Sequence, residues 1–168
     1  MTIRILNVLH DTTVDGPGFR TSIYCAGCKH QCPGCHNPQS WDFSAGEEVE
    51  VDELLRDIMA DPFANVTFSG GDPFYQAEAF AELAKKIKKE TQKDIWCYTG
   101  FLFEELKHHE TYRELLRYVD VLVDGPFIQA QRNEDLLFRG SENQRIIDVQ
   151  ASFFQGETVL WERTTFNV

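Results

Sequence analysis

A chain of 168 residues, 42% of them hydrophobic and with 13 Phe and 3 Trp, can bury a real core within one domain, taken here as 1–168. Its formal net charge of -11, from 16 Lys and Arg against 27 Asp and Glu, argues against a nucleic-acid or anionic-membrane surface, because phosphate binding runs on clustered cations. No early apolar run of about 18 residues and no charged-then-apolar leader is present, so a cytoplasmic chain whose partner is a protein or a small molecule is expected.

An apolar-rich run from Ile3 to Leu9 opens the chain and gives way to Val14-Asp15-Gly16-Pro17-Gly18, where two Gly and a Pro enforce a tight bend. Thr21 to Cys25 is β-branched and aromatic, so a strand is expected that runs straight into a cysteine loop. His36 to Trp41 has no period and Glu47 to Glu50 is acidic; both read as irregular surface. A helix begins near Asp52 with Leu54, Leu55, Ile58 and Met59 on one face, and Asp61-Pro62 stops it.

Asn65 to Ser69 reads as a short buried strand broken by Gly70-Gly71-Asp72-Pro73. The clearest helix follows, with Phe80, Leu83, Ala84 and Ile87 recurring at i, i+3, i+4, i+7. Asp94 to Tyr98 is another strand, Phe101 to about His108 a helical segment ending in a His pair, and Thr111 with Glu114 has the spacing of a capping box. Val121 to Val123 is a further strand, stopped by Asp124-Gly125-Pro126. Phe127 to Arg139 is mixed, and Arg145 to Val149 and Thr158 to Trp161 are two more candidate strands. Strand, loop and helix in alternation imply an α/β fold with a parallel sheet covered by helices. In such sheets ligands bind beyond the carboxyl ends of the strands, and those ends carry Cys28 to Cys35, Gly70-Gly71-Asp72, Tyr98-Thr99-Gly100 and Asp124-Gly125.

Four of the five cysteines lie between Cys25 and Cys35, too close together for a disulfide framework, and they ask for a metal. The spacing C-x3-C-x2-C at Cys28, Cys32 and Cys35 suits an iron–sulfur cube with one iron left open for a substrate or cofactor. A four-cysteine zinc knuckle through Cys25 is the alternative, although such sites usually separate their pairs by roughly 12 to 20 residues. Cys25 on a strand also reads as a small buried residue, and so does Cys97. Gly70 and Gly71 let the backbone approach a ligand closely, and their carbonyls with the Asp72 carboxylate could receive an ammonium group. Asp124 reads equally as a turn residue or a ligand contact. Arg20 and Arg139 could clamp a carboxylate or only decorate the surface. His36 follows a candidate ligand and is placed at the site; His10 and His30 carry no assignment.

Asp15-Gly16-Pro17-Gly18-Phe19-Arg20, Cys28-x3-Cys32-Pro33-Gly34-Cys35-His36-Asn37, Ser69 to Pro73, Val123 to Phe127 and Arg139-Gly140-Ser141 follow one another in order. Together they resemble the radical S-adenosylmethionine activases of glycyl-radical enzymes, and within them the subgroup acting on the anaerobic ribonucleoside-triphosphate reductase. The resemblance runs from about Val8 to Ile147. It implies a shortened (β/α) partial barrel, a [4Fe-4S] cluster on Cys28, Cys32 and Cys35, and S-adenosylmethionine on the open iron. The ammonium would be received near Gly70, Gly71 and Asp72, and the adenine would lie beside Gly34 and His36, the residues flanking Cys35. Asp124 belongs to the cofactor-binding set in the same sense.

The implied reaction is reductive cleavage of the cofactor, followed by removal of hydrogen from a glycine of the reductase to leave a glycyl radical. No side chain is implied as a catalytic acid or base, since cluster and cofactor carry the chemistry. The implied partners are the reductase and an electron donor such as a flavodoxin or ferredoxin. Many members of the wider superfamily have an aromatic residue where this chain has Gly34 and Glu where it has Asp72. Both differences fit the reductase-activating subgroup, and they remove a stacking surface and shorten the acid. An activase of the pyruvate formate-lyase type and a non-catalytic metal or electron-transfer protein are the competing readings.

Overall fold

β-Branched and aromatic residues build the central strands of a seven-stranded sheet. The computed structural model describes residues 1–163. Its strands are β1 (Thr2–Thr12), β2 (Arg20–Cys25), β3 (Glu47–Glu50), β4 (Asn65–Gly70), β5 (Ile95–Tyr98), β6 (Val121–Asp124) and β7 (Arg145–Asp148). The helices are α1 (Val51–Met59), α2 (Ala77–Glu90), α3 (Phe103–Leu106), α4 (Glu110–Leu116) and α5 (Val149–Gln155). One sheet holds all the strands in the order β3-β1-β2-β4-β5-β6-β7.

The expectation of a parallel sheet is corrected to a mixed one. Strands β2, β4, β5 and β6 are parallel neighbours, while β1, β3 and β7 pair antiparallel. Connection length explains the outer strands. Between Thr12 and Arg20 the chain is too short for a crossover, which needs roughly a dozen residues or more, so β1 and β2 close as a hairpin. The path from β6 to β7 contains no covering helix, and β7 returns beside the strand it left.

Cover is one-sided. Ile23, Cys25, Val66, Phe68, Ile95, Cys97, Leu122 and Ile147 point to one face and form a continuous apolar cluster with residues of all five helices. The periodic residues of α2 do what their spacing predicts: Phe80, Leu83, Ala84 and Ile87 are buried, with Phe80 packed on Phe68 at 4.8 Å between ring centroids. Fully burying a side chain of that size stabilises the fold by about 1.5–3 kcal/mol. The alternate residues Arg20, Ser22, Tyr24, Thr67, Ser69, Trp96 and Tyr98 face the other way, where Arg20 and Thr67 are buried against the Asp15–Gly18 bend and a small cluster around Trp96, Val121 and Val123 is covered by Phe138, Ile146 and Trp161. The parallel core of the sheet therefore keeps a polar, helix-free face.

Three local expectations change. Glu47 to Glu50 is an edge strand against β1, not irregular surface, and its exposed acids suit an edge that must not pair further. The Thr111–Glu114 capping box is not formed, because α4 starts earlier; His109 stands at the N-cap, and its ring stacks on Tyr112 at 4.3 Å instead of closing a preceding helix. Thr158 to Trp161 gives one bridge, Ile147 to Leu160, and no strand. Among the described residues no helix is long and apolar enough to cross a membrane.

Candidate functional site

Strand β2 delivers the chain to the carboxyl edge at Cys25, and the cysteine loop is folded back there by backbone bonds. The Gly27 amide donates to the Ser40 carbonyl at 2.7 Å and the Cys28 amide to the Trp41 carbonyl at 3.3 Å, so both ends of the loop meet at the 3-10 turn Pro38–Trp41. A second turn closes from the Cys35 amide to the Cys32 carbonyl at 3.0 Å. Burial raises the Cys28 thiol above its ordinary value, and the amides of His30 and Gln31 oppose that shift by donating to its sulfur. The Asn37 amide donates to the Cys35 Sγ at 3.4 Å. Cys25 differs: it is wholly buried in the apolar cluster with Ile23 and Phe68, and burial pushes its thiol up strongly.

These three loop thiols fit a cluster. Each of Cys28 and Cys35 has backbone donors aimed at its sulfur, which favour the thiolate, and Cys32 and Cys35 are partly open. Among the described residues no three His, Cys, Asp or Glu side chains converge on a point that a single ion could occupy. A cube asks for something else, since each thiolate binds its own iron.

Beside the loop, on the helix-free face, lies a cavity of about 530 Å³. Cys35, His36, Ser69, Gly70, Tyr98 and Arg139 line it, with the Asp15 bend and Phe127 at its margins. That volume is within the usual 300–1,000 Å³ for a small-molecule site. Burial comes first among the causes that raise the Tyr24 phenol above its ordinary range, followed by its hydrogen bond to Asp15. Arg139 spends one nitrogen on the carbonyls of Glu142 and Gln144, at 3.0 and 2.7 Å. Gly34 has φ +78, and a Cβ there would press on Gln129 at 3.0 Å; His36 packs against Phe127 at 5.5 Å.

Not every residue named from the sequence reaches the cavity. Cys35, His36 and Gly70 line it. Gly71 packs against the backbone of Gly27, and its amide donates to the Cys25 carbonyl at 2.7 Å. Asp72 is fully buried behind this pair, and its carboxylate accepts from Phe74, Thr99, Gly100 and His30. Asp124 shares the parity of Leu122 and so faces the helices; it accepts from Arg145 and from the Phe103 amide at 2.8 Å. Arg20 is likewise interior: it donates to Thr67 at 2.8 Å, to the Pro17 carbonyl at 3.0 Å and to Asp94. Thr67 in turn donates to the Asp15 carbonyl at 2.8 Å, so the motif arginine holds the Asp15–Gly18 bend in place.

The family described as 4Fe-4S single cluster domain matches residues 14–147. A Vibrio cholerae protein is 41% identical over 142 residues, covering 79% of this chain and 90% of its own length. It is named anaerobic ribonucleoside-triphosphate reductase-activating protein. The chain belongs to that family of reductase-activating proteins. A Haemophilus influenzae relative of the same name is 38% identical over 141 residues, at 79% and 90% coverage. One from Enterobacteria phage T4 is 36% identical over 139 residues, at 79% and 86%. The 4Fe-4S domain match of this reductase-activating protein's chain spans the cysteine loop and the residues that line the cavity.

Two contributors escaped the sequence reading of this member of the family. His30 carries no assignment from the sequence, because its partner Asp72 lies 42 residues away. Arg20 reads from the sequence as a carboxylate clamp or a surface residue, whereas its buried partners make it an internal brace that only the fold could supply.

Proposed function

We propose that the chain activates an anaerobic ribonucleoside-triphosphate reductase, with a [4Fe-4S] cluster on Cys28, Cys32 and Cys35 and S-adenosylmethionine in the adjoining cavity. When bound, that pair supplies one-electron cleavage of the sulfonium–C5′ bond, giving methionine and a 5′-deoxyadenosyl radical that takes a hydrogen atom from a reductase glycine. The observation that carries this reading is that Cys35, the last cysteine of the loop, lines a cavity of small-molecule size together with His36 and Gly70. The chain's own residues bind and orient. Gly70 would present backbone to the cofactor's ammonium, with Gly71 and Asp72 packed behind it; the Arg139 donors not spent on its own loop suit the carboxylate; His36 would border the adenine, with Gly34 on the other side of Cys35. Asp124 lies outside this set, on the helix side of the sheet with Arg145 and the Phe103 amide. The one-sided helix cover favours reading the sheet as a shortened partial barrel whose concave face is the cavity wall. A reduced flavodoxin or ferredoxin is the expected electron donor.

Reduced, anaerobically reconstituted protein mixed with S-adenosylmethionine and the reductase should give a glycyl radical by electron paramagnetic resonance. Cys25→Ala should keep the cluster, while Cys28→Ala, Cys32→Ala and Cys35→Ala should each lose it. Loss in Cys25→Ala together with a cluster spectrum indifferent to S-adenosylmethionine would overturn the reading. A radical formed on pyruvate formate-lyase but not on the reductase would move the chain to the competing activase class.

A further inference from the structure

We propose that His30 and Asp72 form a latch that fixes the cysteine loop to the carboxyl edge of the sheet, His30 serving as a positioning residue for the cluster thiolates. The inference rests on the cluster reading above and concerns how this chain's residues hold the loop.

His30 lies midway between Cys28 and Cys32, and its Nε2 meets the Asp72 Oδ2 at 2.7 Å. Among the described residues no other side chain from Lys29 to Gly34 hydrogen-bonds to the sheet. Asp72 is itself immobilised. Its Oδ1 accepts the Phe74 amide at 3.0 Å, and its Oδ2 accepts the Thr99 hydroxyl at 2.9 Å and the Gly100 amide at 3.0 Å. Its own amide donates to the Gly27 carbonyl at 2.9 Å. Cys28 is thus bracketed: Gly27 before it and His30 after it are both tied to one aspartate, which is anchored to the ends of β4 and β5. The carboxylate has no exposed surface, so its work is done inside the protein.

Packing confirms the direction of the imidazole. It lies edge-on to Phe101 at 4.5 Å and near Tyr75 at 5.6 Å, and Gly100 leaves the space it fills, since a Cβ there would stand 2.6 Å from the ring. A loop rich in Gly and Pro has no helix or strand to set its sulfurs, so a single buried anchor between two ligands has a large effect on their spacing. Groups that orient metal ligands without touching the metal are worth roughly 10–100-fold in metal affinity.

The test uses the full chain, reconstituted anaerobically, as wild type, His30→Ala, His30→Phe and His30→Gln. Iron and sulfide per chain, the rate of iron release to a chelator and the spectrum of the reduced cluster with S-adenosylmethionine are compared alongside the unfolding midpoint. His30→Ala and His30→Phe should release iron about 10–100-fold faster than wild type and alter the spectrum. His30→Gln, which keeps an N–H donor for Asp72, should recover most of the retention. His30→Phe keeps the ring packing, so wild-type retention in that variant would overturn the latch even if His30→Ala failed to fold. A wild-type chain that took up no cluster would instead overturn the functional reading, and the latch with it.

Discussion

At the carboxyl ends of β4 and β6 stand two fully buried aspartates, each next to a glycine and within two residues of a proline. Asp72 gathers donors from the end of β5, a 3-10 turn and the cysteine loop. Asp124 gathers the Arg145 guanidinium on both oxygens, together with the first amide of α3. Asp72 therefore belongs to the loop that carries the cluster ligands, and Asp124 to the seam where β7 and α3 close the sheet. Side-chain parity separates them: Asp124 continues the helix-facing register of Leu122, while Asp72 lies past the end of its strand, where the chain turns under the loop. A buried carboxylate takes its role from the donors that topology brings to it.

Removing the carboxylate at the seam has the largest expected effect. Asp124→Ala should cost about 3–5 kcal/mol, at the lower end because Arg145 keeps Glu104 as a partner at 2.7 Å and is partly open to water. Denaturant unfolding would register the loss, and iron per chain in the refolded variant should match wild type. Iron loss greater than the loss of folded protein would mean that the two aspartates do not divide the work in this way.

Glycines beside the two aspartates sharpen the contrast. A Cβ on Gly71 would stand 2.5 Å from the Gly27 carbonyl oxygen, a backbone atom one residue before Cys28. Gly71→Ala should cost about 1–3 kcal/mol through overpacking and should also lose most of its iron on reconstitution, because Gly27 must move. Gly125 is the opposite case. Nothing lies nearer than 3.8 Å to a Cβ there, and only its φ of +96 resists a side chain. Gly125→Ala should cost about 1–2 kcal/mol with iron content unchanged. Equal iron loss in both variants would erase the distinction.

Much of this was legible before the fold was known. Periodicity places α1 and α2, β-branched runs place the central parallel strands, and the run Thr21 to Cys25 puts the cysteine loop at a strand end. The antiparallel flanks were hidden, because an acidic run such as Glu47 to Glu50 has no apolar alternation and becomes a strand only by pairing with β1. The site's cavity-facing members Cys35, His36 and Gly70 were named, since cysteine spacing and paired glycines are local signals. His30 and Arg20 depend on partners 42 and 74 residues away, and separations of that kind leave no mark in a single sequence.

The smallest effect separates the two centres by pH. Hydrogen bonds from Arg145 hold the Glu104 carboxyl down to about 2 against the opposing effect of burial, compared with an ordinary value near 4.5. Between those limits the unfolded chain binds more protons than the folded one, so the contribution is fully present above about pH 4.5 and is lost as pH falls toward 2. Glu104 is nearly half exposed, so solvent screening limits the contribution to under about 1 kcal/mol. Glu104→Gln should therefore unfold at slightly lower urea than wild type at pH 7, with a gap that narrows by pH 3. Iron release should not change, because among the described residues the Glu104 side chain hydrogen-bonds to Arg145 and Thr158, both at the seam. A gap that widens in acid would reverse the sign of the linkage, and faster iron release would join the seam to the cysteine loop through a path other than Asp72.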